Sequence, residues 1–235
     1  MDKPVLKVLF DSLIQLIFPQ NCAGCEHPFR GAEKILCLKC QFNLPLSKTW
    51  IHQENIVCQK LQGRFSFEKA SSFLYFTKEG ITQHLMHQLK YKGREDLAHL
   101  LGNLYGESLA KCQWAKDIDC IIPVPIHKRK RQERGYNQSE LIASGLSIST
   151  NVTLLKNELI KIKHTSSQTR KTNKERIENV KEVFQVKNPE TLIGKHILLV
   201  DDVITTGATL ESCANTILEI PKTKVSIVTL AIAEN

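Results

Sequence analysis

The stretch His196–Leu210, HILLVDDVITTGATL, decides the fold. Its apolar run, Ile197-Leu198-Leu199-Val200, is too short for a helix and rich in β-formers, which predicts a buried parallel strand. The strand ends in two acids, Asp201 and Asp202, and then in Thr205-Thr206-Gly207-Ala208-Thr209. Beyond them Leu210, Cys213, Ala214, Ile217 and Leu218 recur at helical spacing as far as Ile220, with no internal proline or glycine. A strand, a small hydroxyl-rich turn and a helix form an anion site, because free N–H groups at the helix start point at the bound anion. Gly207 lets the backbone come close, and the threonines add hydroxyl donors. Acids just before such a turn repel a phosphate, so they must serve another part of the same ligand. The paired hydroxyls of a ribose are the natural match, since carboxylates accept hydrogen bonds. The rival phosphate loop, G-x-x-x-x-G-K-[ST], occurs nowhere in the chain.

The 235 residues suggest one medium domain, or one domain with a small appendage. A hydrophobic content of 42% is enough for a real core and excludes a disordered or fibrous class. The net charge of +8 is localised: Ile121 to Val180 holds 12 Lys/Arg against 5 Asp/Glu. Anionic ligands are expected, either polyphosphate or nucleic acid. No apolar run approaches the ~20 residues needed to span a membrane. Val5–Phe18 is strongly apolar but carries Lys7 and Asp11 and lacks an A-x-A-like cleavage site. It predicts a helix packed on the protein rather than a signal peptide, and a cytoplasmic location.

Eight cysteines in a cytoplasmic chain point to metal rather than disulfides. Four form two C-x-x-C pairs, Cys22/Cys25 and Cys37/Cys40, with eleven residues between the pairs. Each pair can bend into a turn that presents two thiolates to one ion, and two turns complete a tetrahedral site. The expected ion is a structural Zn²⁺, since four thiolates leave no open position for water. Cys58, Cys112, Cys120 and Cys213 show no paired spacing and are expected to be small buried residues.

Along the chain, Phe65–Phe76 reads as one or two strands, and Ile81–Tyr91 and Glu95–Lys111 as amphipathic helices. His84, His87 and His99 lie in these helices without matching partners in sequence and read as surface residues. Asp119–Pro125 is a short buried strand cut off by prolines. The basic run from His127 to Gln138 follows it as a loop, at the strand's C-terminal end, where open α/β sheets bind ligands. Gly135 is its flexible exit, and Asn137 or Ser139 would cap the helix Ser139–Leu146. Val152–Ile160 is a further strand candidate. Lys161–Val180, KIKHTSSQTRKTNKERIENV, has almost no apolar periodicity and reads as a lid or a disordered segment. Glu182–Val186 and Lys224–Ala231 are the last strands. The alternation of strands and helices argues for an open, mainly parallel sheet.

VDDVITTGAT resembles the phosphoribosyl-pyrophosphate (PRPP) loop of type I phosphoribosyltransferases. More widely, the chain resembles the competence protein F (ComF) family, phosphoribosyltransferase-like proteins associated with natural transformation. The matching pieces are the CAGC and CLKC knuckles after Phe18-Pro19, Leu89-Lys90-Tyr91-Lys92-Gly93, PVPIHKRKRQERGYNQ, HTSSQTRKTNKERIENV and the PRPP loop. The order of parts is also similar to that of glutamine amidophosphoribosyltransferase. The resemblance implies a type I phosphoribosyltransferase-like α/β fold over 63–235, behind an N-terminal helix and a four-cysteine zinc knuckle in 1–62. It implies that Asp201 and Asp202 hold the ribose hydroxyls, and that Val200 and Thr205, Thr206, Gly207, Ala208 and Thr209 complete the PRPP site around the 5′-phosphate. Pro125, Arg131, Arg134 and Asn137 would meet the pyrophosphate, with Arg134 the leading cation and, beside Asp201 and Asp202, a catalytic candidate. Thr165, Gln168, Arg176 and Asn179 would belong to the lid, and Mg²⁺ would accompany PRPP. The chain has Lys130, Gln132 and Lys161 where the family pattern has arginine; lysine keeps charge but loses the bidentate fork.

Two function classes follow. One is a phosphoribosyltransferase that moves the phosphoribosyl group from PRPP to an acceptor, in a protein contributing to DNA uptake. The other is a non-catalytic competence factor that binds single-stranded DNA or a competence-associated helicase and uses the PRPP site for regulation.

Overall fold

The run that starts at Ile197 becomes the central strand of a five-stranded parallel sheet. The structure is a computed structural model that describes residues 21–29, 33–162 and 183–233. Its strands are β1 (Ala70–Phe76), β2 (Cys120–Pro123), β3 (Thr153–Leu154), β4 (Leu159–Ile162), β5 (Val183–Val186), β6 (His196–Ile204) and β7 (Lys224–Ala233). Its helices are α1 (Leu38–Phe42), α2 (Ile56–Leu61), α3 (Ile81–Tyr91), α4 (Glu95–Leu109), α5 (Lys128–Arg134), α6 (Gln138–Thr150) and α7 (Ala208–Leu218). The main sheet has the order β1-β7-β6-β2-β3, while β4 and β5 form a separate antiparallel pair. Among the described residues no helix is long and apolar enough to cross a membrane.

Both faces of the sheet are covered, which explains why β6 is apolar without alternation. Leu198 and Val200 join one core with Leu101 and Tyr105 of α4 and Ile142 and Leu146 of α6. Ile197 and Leu199 join the opposite core with Leu210, Ala214 and Ile217 of α7 and Val57 and Leu61 of α2. The four-cysteine region belongs to the first core through Cys22, Leu36 and Cys40. The segment before α2 blunts the edge strand β1: Ser47 N donates to Phe73 O, Tyr75 N to Pro45 O, and Thr49 Oγ1 accepts from Ser72 N.

Helices α4 and α6 approach through glycines. A Cβ on Gly102 would lie 2.3 Å from the Ile142 carbonyl oxygen, and one on Gly145 would lie 2.5 Å from that of His99. Close approach at this seam sets the position of α6 and so the place of its N-terminus above the sheet.

Several expectations change. The basic run is not a continuous loop: Lys128–Arg134 is helical, capped by His127 Nδ1 accepting from Arg129 N and ended by Gly135 at φ 82°. The strand expected over Val152–Ile160 is two, β3 and β4, broken by a turn with Asn157 at φ 60°. Strand β6 runs on through both acids to Ile204. His84 has a carboxylate partner after all, Glu26 Oε1 at 3.3 Å. Cys120 and Cys213 are buried, but Cys58 and Cys112 are only half-buried. The helix expected over Val5–Phe18 lies outside the described residues.

Gly145→Ala adds helix propensity but forces a Cβ into the backbone of α4. The expected result is a net loss of about 2 kcal/mol in urea unfolding, as for overpacked cores; an unchanged midpoint would show that the seam can open freely.

Candidate functional site

The chain leaves β2 through α5 and α6 to pair β3 on one side, and leaves β6 through α7 to pair β7 on the other. The gap between β2 and β6 is therefore the point where strand order reverses. In open α/β sheets the crevice at the carboxyl ends of such strands is where ligands bind. Register carries the two segments there together: Pro123 pairs with Val200, and Val124 N donates to the Val200 carbonyl at 2.8 Å. Pro125 on one side and Asp201-Asp202 on the other form the rim.

The acids are held by the protein. Asp201 Oδ1 accepts from Ser139 Oγ at 3.0 Å and from Asp202 N at 2.8 Å. Asp202 Oδ1 accepts from Val203 N at 2.7 Å, and its Oδ2 lies 3.2 Å from Lys90 Nζ. Burial first, and then the charge of Asp202, push the Asp201 carboxyl up to about 7.

Past Ile204, Thr205 and Thr206 are exposed, and Gly207 stands at φ 81° as the N-cap of α7. Thr206 Oγ1 accepts from Ala208 N, so the turn is partly pre-formed. A Cβ on Gly207 would meet Leu61 Cδ2 at 2.8 Å, so α2 packs directly under the turn. Arg64 follows α2 and pairs with Glu211 of the first turn of α7 at 2.9 Å. It places a cation next to the Thr-Thr-Gly turn.

Across the crevice, the helix α5 exposes Lys128, Arg129, Lys130 and Arg131. Arg131 reaches Glu140 at 3.5 Å, and Arg134 Nη1 donates to Gln138 Oε1 at 2.9 Å. Asn137 is buried: its Oδ1 accepts from Ser139 N to cap α6, and its Nδ2 donates to the Val124 carbonyl at 3.0 Å. It ties the start of α6 to the end of β2 rather than presenting its amide to the crevice. Thr165, Gln168, Arg176 and Asn179, with the rest of the expected lid beyond Ile162, lie outside the described residues.

The sequence reading did not single out Lys90, Ser139 or Arg64 as site residues. Lys90 lies within LKYKG, a stretch quoted only for its resemblance, and nothing local links any of the three to Asp201 and Asp202.

A second cluster lies in the N-terminal element. The Sγ atoms of Cys22, Cys25, Cys37 and Cys40 all lie within 4.8 Å of one another. Cys22 Sγ accepts from Gly24 N and Cys37 N, both at 3.3 Å. Burial raises the Cys22 thiol, but backbone N–H donors, Cys37 first, outweigh it and bring it to about 7. Burial pushes the Cys40 thiol up. Four thiol sulfurs this close, with N–H donors already aimed at one of them, fit a tetrahedral zinc–thiolate centre.

For Asp201, a raised folded pKa has a definite sign. Between about 4 and about 7 the folded chain keeps a proton that the unfolded chain has released, so this group's stability contribution falls as pH rises. Asp201→Asn cannot ionise, so its melting temperature should gain on that of the wild type from about pH 5 to about pH 8. A difference that stays flat with pH would count against the buried acid pair.

Residues 134–234 match the phosphoribosyl transferase domain family. The chain is 31% identical over 137 residues to the DNA utilization protein YhgH of Escherichia coli O157:H7, a match that takes in 57% of this chain and 60% of that protein. It is 38% identical over 93 residues to competence protein F of Haemophilus influenzae, covering 39% and 41% of the two chains. With competence protein ComFC of Bacillus subtilis it shares 28% identity over 144 residues, covering 61% and 56%. The matched regions thus span less than two thirds of the length of these relatives. These matches, with the four-cysteine cluster, support the resemblance to the ComF proteins, and the helix-flanked parallel sheet with its matched domain family is of the phosphoribosyltransferase type.

Proposed function

We propose that this chain binds PRPP in the crevice between β2 and β6 and transfers its phosphoribosyl group to an acceptor, within a competence-associated role in DNA uptake. The observation that carries the reading is the acid pair at the point where strand order reverses, followed after Val203 and Ile204 by the Thr-Thr-Gly turn that opens α7. Asp201 and Asp202 would accept hydrogen bonds from the 2′- and 3′-hydroxyls. The N–H groups and hydroxyls of Thr205–Thr209 would hold the 5′-phosphate, with Arg64 alongside. Arg131 and Arg134 would face the pyrophosphate, a leaving group whose departure from C1 needs charge neutralisation more than covalent help. Mg²⁺, when bound with the ligand, would share that neutralisation. The nucleophile belongs to the acceptor, so the protein's part is positioning and exclusion of water.

The N-terminal element, within residues 1–62, would carry a structural zinc on Cys22, Cys25, Cys37 and Cys40, and 63–235 would form the phosphoribosyltransferase-like domain of a cytoplasmic protein. Metal analysis of reductively purified protein should find a single zinc per chain, lost with Cys22→Ser together with thermal stability. Zinc-free protein that melts normally would exclude the knuckle.

PRPP with Mg²⁺ should raise the melting temperature, and Asp202→Ala should abolish the rise, because ligand binding to the folded state stabilises it by mass action. No rise at millimolar PRPP would sink the proposal. A second reading is favoured by α5, which turns Lys128, Arg129, Lys130 and Arg131 to solvent beside the crevice. These cations would suit phosphates of single-stranded DNA, in a factor that works with a helicase and uses the PRPP site for regulation. Binding to an oligonucleotide should then weaken steeply with salt, and charge-removing substitutions at these residues should flatten the slope.

A further inference from the structure

Helix α3 ends against the acid pair. Lys90, in its last turn, brings Nζ to 3.2 Å from Asp202 Oδ2, and the two side chains are only 25% and 17% exposed. A lysine at a helix end ordinarily extends its charge into water, and a fully exposed pair of this kind contributes little. This one is held from behind. The carbonyl of Leu89, the residue before it, accepts from the Tyr136 hydroxyl and from Gln138 Nε2. Carbonyls in the last turn of a helix lack intrahelical partners, so these two donors satisfy one and fix the turn. Both donors are buried, and the same Gln138 carboxamide accepts from Arg134. One amide therefore connects the basic turn to the helix end that carries Lys90.

We propose that Lys90 is a positioning residue of the ligand site: its ammonium holds the Asp202 carboxylate in place beside Asp201 and offsets the charge of the pair, and Tyr136 and Gln138 keep the ammonium there. The proposal rests on the crevice being the phosphoribosyl site. Among the described residues, the charged groups at the pair are Asp201 and Asp202 from β6 and Lys90 from α3; Ser139 of α6 donates to Asp201, and Arg134 at the end of α5 turns to Gln138. Two adjacent carboxylates repel, and each needs its lone pairs to receive a hydroxyl. Without the ammonium the repulsion is relieved by a proton on Asp201, whose carboxyl burial and Asp202 already push up and Lys90 pulls down. A protonated acid accepts a hydroxyl less well.

The test compares the wild type with Lys90→Met, which keeps the apolar stem, and Lys90→Arg, which keeps the charge. Two quantities are read: the ¹³C-carboxyl titration of Asp201, and calorimetric binding of PRPP with Mg²⁺. Lys90→Met should raise the Asp201 midpoint by about one pH unit and weaken PRPP binding roughly tenfold near neutral pH, and Lys90→Arg should restore both. An Asp201 titration in Lys90→Met that overlays the wild type overturns the proposal, since loss of packing alone would leave it in place. Absence of PRPP binding by the wild type defeats the ligand reading instead, and the Asp201 titration still decides the part played by Lys90.

Discussion

Everything at the crevice depends on keeping two neighbouring carboxylates within the last pairings of a buried strand, two residues short of its end. Asp201 and Asp202 close a run whose preceding residues, Ile197 to Val200, are buried. Like charges at adjacent positions are costly where water is partly excluded, and such a pair persists only if the surroundings supply donors and a cation. Ser139, two backbone N–H groups and Lys90 supply them. Each comes from an element whose position is itself fixed by packing, so the acid pair sets requirements that reach across the molecule.

The glycine seam between α4 and α6 is one such requirement. Ser139 reaches Asp201 only because α6 starts above the end of β6, and its height there follows from the close approach at Gly102 and Gly145. The GYNQS stretch then works as a joint. Tyr136 and Gln138 hold α3, Asn137 holds β2, and Ser139 holds β6. Four consecutive buried polar or aromatic residues are unusual at a helix start, and here each has a partner, Tyr136 and Gln138 sharing the Leu89 carbonyl, as burial of polar groups demands.

The four-cysteine cluster contributes in another way. Its residues share a core with α3 and α4 rather than standing apart. Gly24 packs so closely that an added Cβ would lie 2.9 Å from Cys40 Sγ and 3.1 Å from Ile81 Cδ1, at the first turn of α3. The same helix carries Lys90 at its other end, so the knuckle supports the start of an element whose end meets the acids.

Local chemistry made much of this legible in the sequence. Apolar runs bounded by turn residues gave away β6 and β7, helical spacing gave α3 and α4, and paired cysteines announced a cluster that closes to 4.8 Å. The order of residues in VDDVITTGAT marked out the strand, the acids, the turn and the helix that follows. Other features left no trace in the apolar pattern. Helix α5 has no apolar stripe; it is supported by a His127 cap, an Arg129–Glu133 pair at 2.9 Å and Gly135 beyond its end, interactions that a hydrophobic pattern does not register. The break between β3 and β4 lies in an apolar-rich stretch whose pairing partners are far away in sequence. The sequence by itself determined where the buried strand, the acids and the turn before α7 fall, because burial pattern and turn chemistry are properties of neighbouring residues. Only the tertiary structure decided that Lys90 and Ser139 meet the acids and that Arg64 lies beside the turn, because strand order and helix packing join segments that the chain keeps far apart.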